Sequence, residues 1–215
     1  MRDAQRTPEH EAERTREEKR PVQVATDGVG PLYQRDWLLK IEECPVSPEQ
    51  ALLALRRNFP DYSPELLAGF KRPDGGGELL EEGDTMHVRL TGGGHAGVVA
   101  VAVEERSLTL RTQSGHMESG RVTFAATQDE DGALVLRIRT RARIRDVVRS
   151  AAYELGGKAV QSTIWSQFLK SWAQTLGGKV VGDVTEHTEE VEDDAADRGE
   201  VDVPTLAVEA PDRAA

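Results

Sequence analysis

The chain has 215 residues, a formal net charge of -11, a mean hydropathy of -0.52 and a single cysteine, Cys44. One cysteine excludes an internal disulfide framework, and no apolar run approaches the roughly 20 residues that a membrane-spanning helix needs. Because the amino terminus also lacks an apolar signal segment, the sequence predicts a soluble cytoplasmic protein without a membrane span.

The charge is distributed unevenly and divides the chain into three parts. Residues 181–215 hold twelve acidic side chains against Arg198 and Arg213, whereas residues 31–180 hold nineteen acidic and nineteen basic ones. The acidic end carries no aromatic residue, so burial cannot offset the entropy that ordering would cost. We predict a disordered charged tail over residues 1–30, one folded domain over residues 31–180 and a disordered acidic tail over residues 181–215.

A strand and two short helices are predicted at the start of the domain. Residues 33–43 alternate between polar and apolar side chains, as a strand with one buried face does. A Ser-Pro pair followed by glutamine supplies an N-cap and half of a capping box for a helix over residues 48–58. A second Ser-Pro pair predicts a shorter helix over residues 63–69.

Five further strands follow, separated by short segments rich in turn-forming residues. Because the connections are short, neighbouring strands should run antiparallel. The predicted strands cover residues 84–91, 96–104, 107–114, 120–127 and 133–145.

The last of these strands runs directly into a long amphipathic helix. Apolar side chains alternate with five arginines over residues 133–145, so one face of the strand is apolar and the other basic. From Val148 the apolar period changes to about four residues and continues to Leu176, which predicts a helix packed across the sheet. Gly156 and Gly157 indicate either a kink in this helix or a loop between two shorter helices.

The predicted order of elements resembles that of the START-like (SRPBCC) helix-grip superfamily, which includes the birch-pollen allergen and the polyketide cyclases. Residues 114–124 (SGHMESGRVTF) and 164–177 (IWSQFLKSWAQTLG) are similar to an uncharacterised bacterial branch of it. The resemblance covers residues 32–178. It implies an α+β fold, with a curved antiparallel sheet of six to seven strands, two short helices after the first strand, and a long C-terminal helix packed on the sheet. It also implies a cavity between sheet and helix that holds an apolar or amphipathic small molecule.

The walls of such a cavity should come from the apolar face of the sheet and from the long helix. The same residues would also form an ordinary core, because only a gap in their packing makes a ligand site. The candidate wall residues are Trp37, Leu39, Met86, Val88, Leu110, Phe124, Leu136, Ile138, Ile164, Phe168 and Trp172.

The hairpin after the third of the five strands holds the best candidates for polar chemistry. His116 and Glu118 are two residues apart, so on a strand they would share a face and could meet as a base and its orienting partner. The alternative is a solvated turn with an incidental histidine. No serine or cysteine nucleophile is tied to the pair by a motif. The histidines at 87, 95 and 116 match no short metal-ligand motif, and we predict neither a metal nor a cofactor.

Eight arginines are predicted to share the outer face of the sheet. Such a surface could attract an anionic partner, with the acidic tail as an internal competitor that masks it. The alternative is a solvated face whose cations are partly paired with acids. No aromatic side chains interleave the arginines, which argues against single-stranded nucleic acid as the partner. The basic-face residues are Arg89, Arg111, Arg121, Arg137, Arg139, Arg141, Arg143 and Arg145.

The sequence therefore leaves three hypotheses. The one we favour is a non-catalytic protein that binds an apolar or amphipathic small molecule between the sheet and the long helix. The second is a cyclase-like or hydrolase-like enzyme that uses His116 and Glu118, for which both side chains would have to face the cavity. The third is an interaction module whose basic sheet face is masked by the acidic tail.

Overall fold

The computed structural model describes residues 20–72, 77–90, 94–145 and 158–196. Within these ranges the chain forms two α-helices and eight β-strands. The helices are α1, Pro48–Asn58, and α2, Lys158–Leu176. The strands are β1, Val29–Glu42; β2, Ala68–Lys71; β3, Thr85–Leu90; β4, Gly94–Val103; β5, Ser107–Thr112; β6, Glu118–Gln128; β7, Leu134–Ile144; and β8, Lys179–Val191.

All eight strands belong to one curved antiparallel sheet, in the order β2-β3-β4-β5-β6-β7-β1-β8. Strands β2 to β7 form a meander, as the short connections predicted. β1 then pairs with β7 on one side and with β8 on the other. The sheet has eight strands rather than six to seven because β2 and β8 lie in segments that were expected to form a helix and a disordered tail.

The capping box predicted for the first helix is confirmed. The Gln50 backbone N–H donates to Ser47 Oγ at 3.3 Å, and the Ser47 backbone N–H donates to Gln50 Oε1 at 2.9 Å. The second short helix is a 3-10 turn at Phe59–Tyr62, directly after α1 and earlier than predicted. Residues 68–71 instead pair with β3, because backbone pairing along the sheet outweighs the local Ser-Pro signal.

The helix α2 packs its apolar stripe against the inner face of the sheet, as predicted. Phe168 and Trp172 are fully buried, and Trp172 Nε1 donates to Ala51 O of α1 at 3.0 Å. Phe59, Phe124 and Phe168 form an aromatic cluster with ring centroids 4.9 to 5.2 Å apart. The first ten residues of the predicted helix, including both glycines, lie outside the described residues.

β8 corrects the prediction that disorder begins at residue 181. The turn before it uses Gly177 and Gly178, with φ values of 76° and 82° in the left-handed region. A side chain at Gly178 would place its Cβ 2.8 Å from Glu42 O, so only glycine fits there. Most β8 side chains are exposed. The strand is held mainly by backbone bonds to β1, which a composition of polar side chains does not reveal.

Residues 20–28 correct the other tail boundary, because this segment is packed against the domain. Gln23 and Ala25 are buried, and Val22 forms a β-bridge with Gln113. The Gln23 N–H donates to Thr112 O at 2.7 Å. We call residues 20–28 the N-terminal strap.

The outer face of the sheet is not the solvated basic surface that the alternation predicted. Arg139 is only 5% exposed and makes a two-point ion pair with buried Asp36, at 2.7 and 3.1 Å. Arg141 Nε donates to Gln34 Oε1 at 2.7 Å. Partners on β1 and the crossing strap cover this face. Arg121 and Arg137 are also buried, Arg111, Arg141, Arg143 and Arg145 are half-buried, and Arg89 is exposed.

Candidate ligand-binding site

A cavity of about 250 Å³ lies between the inner face of the sheet and the first turns of α2. An engineered cavity of roughly 150 Å³ is large enough for benzene, so this one has room for a compound with two fused rings. Its walls are mostly apolar. They are formed by Leu67, Ala68, Phe70, Val88, Val98, Leu110, Met117, Val122, Ala142, Val160, Ile164 and Trp165, with Thr112, His116, Glu118, Arg121, Thr140 and Gln161 as the polar members.

Three of the predicted wall residues, Val88, Leu110 and Ile164, line this cavity. The other eight are buried in the solid part of the core, where the aromatic cluster and its neighbours fill the space between sheet and helix. The cavity therefore occupies only the end of the interface near the start of α2. The remaining predicted wall residues are Trp37, Leu39, Met86, Phe124, Leu136, Ile138, Phe168 and Trp172.

The hairpin between β5 and β6 brings His116 and Glu118 to the polar end of the cavity. The contact between them that the structure shows runs from the His116 ring to the backbone of Glu118. The backbone N–H of Glu118 donates to His116 Nδ1 at 3.1 Å. The same Nδ1 lies 3.1 Å from Glu118 O, so the tautomer decides which backbone group of Glu118 the ring bonds. The histidine therefore fixes the backbone of the glutamate.

The Glu118 carboxyl is held by the helix opposite. Gln161 Nε2 of α2 donates to Glu118 Oε2 at 3.0 Å, and Arg35 Nη1 of β1 donates to Gln161 Oε1 at 2.5 Å. Burial raises the pKa of the Glu118 carboxyl above its ordinary value, while the charge of Arg35 and the hydrogen bond from Gln161 oppose that rise. Glu118 thus retains a proton to a higher pH than an exposed glutamate does.

The turn geometry that presents Glu118 depends on Gly120. This residue has φ 155°, and a Cβ built on it would lie 2.2 Å from Arg141 O of the neighbouring strand. Thr112 secures the same turn, because its Oγ1 accepts from the Gly120 N–H at 3.1 Å and donates to Gly120 O at 3.2 Å. These two bonds join β5 to β6 and so hold both strands of the hairpin beside the cavity.

Sequence reasoning missed Arg35 and Gln161, although both leave a signal in the sequence. Arg35 lies on the same inward face of β1 as Trp37, where an apolar residue is expected. Gln161 precedes Trp165 by one helical turn and so interrupts an apolar row of α2. A charged or amide side chain on a buried face normally has a buried polar partner, and here the two are partners of each other.

The site can perform hydrogen bonding and proton transfer. His116 and Glu118 are two titratable groups at one end of an apolar chamber, an arrangement in which the environment sets the protonation state. The lining residues that the structure describes include no serine or cysteine to serve as an acyl acceptor.

No protein-family model and no curated protein matches the sequence. Among solved structures, norcoclaurine synthase from Thalictrum flavum, in complex with dopamine and hydroxybenzaldehyde, is similar with a TM-score of 0.50 and 10% identity, over 70% of this chain and 88% of that one. The chain has the helix-grip fold. At 10% sequence identity, this similarity supports the fold and says nothing about function.

Two further helix-grip neighbours have lower scores. The di-domain ARO/CYC StfQ from the steffimycin biosynthetic pathway has a TM-score of 0.48 and 15% identity, over 71% of this chain and 52% of that one. The protein XoxI from Bacillus cereus has a TM-score of 0.45 and 17% identity, over 66% of this chain and 94% of that one. Across the described ranges, neither helix combines the length and the apolar character that crossing a membrane requires.

Proposed function

We propose that this protein is a START-like, cytoplasmic binder of a small amphipathic molecule, with an apolar body of about two rings and one polar group. The observation that carries the proposal is a cavity of about 250 Å³ with mostly apolar walls and a few polar members, Glu118 among them. Apolar surface supplies the affinity of such a site, and a few placed polar groups orient the ligand.

The polar end is arranged for a hydroxyl or a carbonyl. The Glu118 carboxyl accepts a hydrogen bond when ionised and can donate one when protonated, and the His116 imidazole beside it also lines the cavity. Each hydrogen bond adds about 1 kcal/mol, or roughly fivefold in affinity. The complex of norcoclaurine synthase with dopamine and hydroxybenzaldehyde shows that the same fold accommodates ligands with one ring and polar substituents.

Binding of 2-naphthol and of naphthalene tests this proposal, because the two probes differ only in a hydroxyl. In NMR titrations we expect both to shift the indole resonance of Trp165, which lines the cavity, and not that of Trp172, which is buried in the core. We expect 2-naphthol to bind about fivefold more tightly. Binding of neither probe, or equal shifts at both indoles, would show that the cavity is not a ligand site.

A matched pair of variants locates the binding. Val122→Phe adds a ring inside the cavity and should abolish binding of both probes. Leu53→Phe adds the same ring on the exposed side of α1 and should leave both affinities unchanged.

A second candidate function is acid–base catalysis, favoured by the raised pKa of Glu118 and by the position of His116 at the same end of the cavity. A cyclase-like or hydrolase-like reaction would use these groups to move a proton. The ketone 2-tetralone has the size of the proposed ligand and exchangeable protons beside its carbonyl. Deuterium incorporation from D2O, accelerated by the wild type and lost in Glu118→Gln, would establish proton transfer. If the wild type exchanges deuterium no faster than the uncatalysed reaction, ligand binding remains as the proposed function.

A further inference from the structure

We propose that Gln23 is a positioning residue of the ligand site: its side-chain amide holds the hairpin that carries His116 and Glu118 in the orientation that a polar ligand group requires. This inference rests on the proposed function. It assigns a role at the site to the N-terminal strap, which lies outside the cavity and contributes none of its lining residues.

The Gln23 amide joins the two sides of the hairpin. Its Nε2 donates to Glu118 O at 3.1 Å and to Ser119 Oγ at 3.3 Å, and its Oε1 accepts from the Gly115 N–H at 3.2 Å. The nitrogen and the oxygen of one amide therefore both bond to the five-residue stretch from Gly115 to Ser119. Gln23 is only 6% exposed, so water cannot replace these bonds if the side chain is removed.

The strap backbone places this amide. The Gln23 N–H donates to Thr112 O at 2.7 Å, and Pro21 O accepts from the Ser114 N–H at 2.8 Å. Arg20 O accepts a further bond from Gln113 Nε2 at 3.2 Å. The strap thus runs along the start of the hairpin like an added strand, and Gln23 is the member that reaches across to its far side.

Gln23 also completes a set of contacts that fixes Glu118 on three sides. His116 Nδ1 accepts from the Glu118 N–H, Gln23 donates to the Glu118 carbonyl, and Gln161 donates to its carboxylate. His116 and Gln23 place the backbone of Glu118, and the bond from Gln161 directs its carboxyl toward α2. Glu118 also pairs with Ile144 of β7, so loss of the Gln23 amide loosens only the hairpin side of its backbone, without changing any residue that lines the cavity.

The substitution Gln23→Leu tests this role, because leucine keeps much of the buried volume and removes all three side-chain bonds. We expect the fivefold preference for 2-naphthol over naphthalene to fall below twofold, while the affinity for naphthalene, which needs no polar partner, stays within twofold of wild type. The matched control is Ser47→Ala, which removes a helix cap on α1 away from the cavity. It should lower stability and leave the preference unchanged.

Amide hydrogen exchange gives a measurement that needs no ligand. In Gln23→Leu we expect exchange at Gly115 and Glu118 to accelerate at least tenfold, while the Ala51 amide, bonded to Ser47 O, keeps its rate. An unchanged probe preference, or a parallel fall in both affinities, would overturn the positioning role. If the wild type binds neither probe, the proposed function fails, and unchanged exchange at the hairpin would then reject the contact role of Gln23 as well.

Discussion

At the scale of single residues, Glu118 couples the site to pH. Its pKa is raised in the folded protein by burial, so folding favours the protonated carboxyl. The stabilising contribution is fully present below the ordinary pKa of 4.5 and is lost as the pH rises through the folded value. Ionised Glu118 is therefore a source of instability at neutral pH, partly relieved by Arg35.

Replacement of Glu118 by glutamine should remove this pH dependence. Glutamine keeps an acceptor for Gln161 and never ionises, so the variant should gain stability relative to wild type as the pH rises from 4.5 to 7.5. Urea denaturation across that range measures the difference. Glu105→Gln, at an exposed position, is the control and should show no such trend. A constant difference for Glu118→Gln would mean that the carboxyl is not desolvated.

The buried pair of Arg139 and Asp36 gives a second prediction at this scale. Arg139→Ala leaves a carboxylate uncompensated inside the protein and should destabilise it by about 3–5 kcal/mol. The double variant Asp36→Leu/Arg139→Met removes both charges and should recover most of that loss. Chemical denaturation of the three proteins checks this, and a loss under about 1 kcal/mol in Arg139→Ala would show that the pair is solvated.

At the scale of secondary structure, β8 protects the long edge of β1. Without β8, the backbone groups of β1 that face away from β7 would be open to pairing with another chain. β8 is itself exposed on its other side, but it carries the acidic residues Asp183, Glu186, Glu189 and Glu190, which disfavour edge-to-edge association.

Ending the chain after Gly178 should therefore lower the melting temperature by more than about 5 °C, which corresponds to over 1 kcal/mol for a protein of this size. It should also promote association, visible by size-exclusion chromatography. Ending the chain after Ala196 retains all of β8 and serves as the control. Equal melting temperatures for the two truncated proteins would show that β8 adds nothing to the stability of the sheet.

The elements that the sequence predicts well are those with a local cause. The capping box of α1, the apolar row of α2 and the turn chemistry between β3 and β7 all act within a few residues. β2, β8 and the strap are held by backbone bonds to partners far away in the sequence, such as the pairing of Leu32 with Val191. Neither propensity nor composition contains that information.

At the scale of the whole molecule, the sequence predicted an apolar cavity between sheet and helix but not its location. Alternation identifies which residues face inward, and every predicted wall residue is buried or lines the cavity. The location of the gap depends on how Phe59, Phe124 and Phe168 pack against one another. That packing is a property of the assembled sheet and helices. The same assembly converts the expected basic surface into a largely covered face, in which Arg139 is paired with buried Asp36.

The position of β1 between β7 and β8 has a consequence for how the protein is made. β1 leaves the ribosome before either of its neighbours, and 91 residues lie between Glu42 and Leu134, where β7 begins. At about 5–20 residues per second, translation of that interval takes roughly 5–20 s. During this time β1 lacks its backbone partner β7, and Trp37 lacks Trp165 of α2, which packs near it in the folded protein. The nascent chain should therefore be a substrate for ribosome-associated chaperones until β7 emerges.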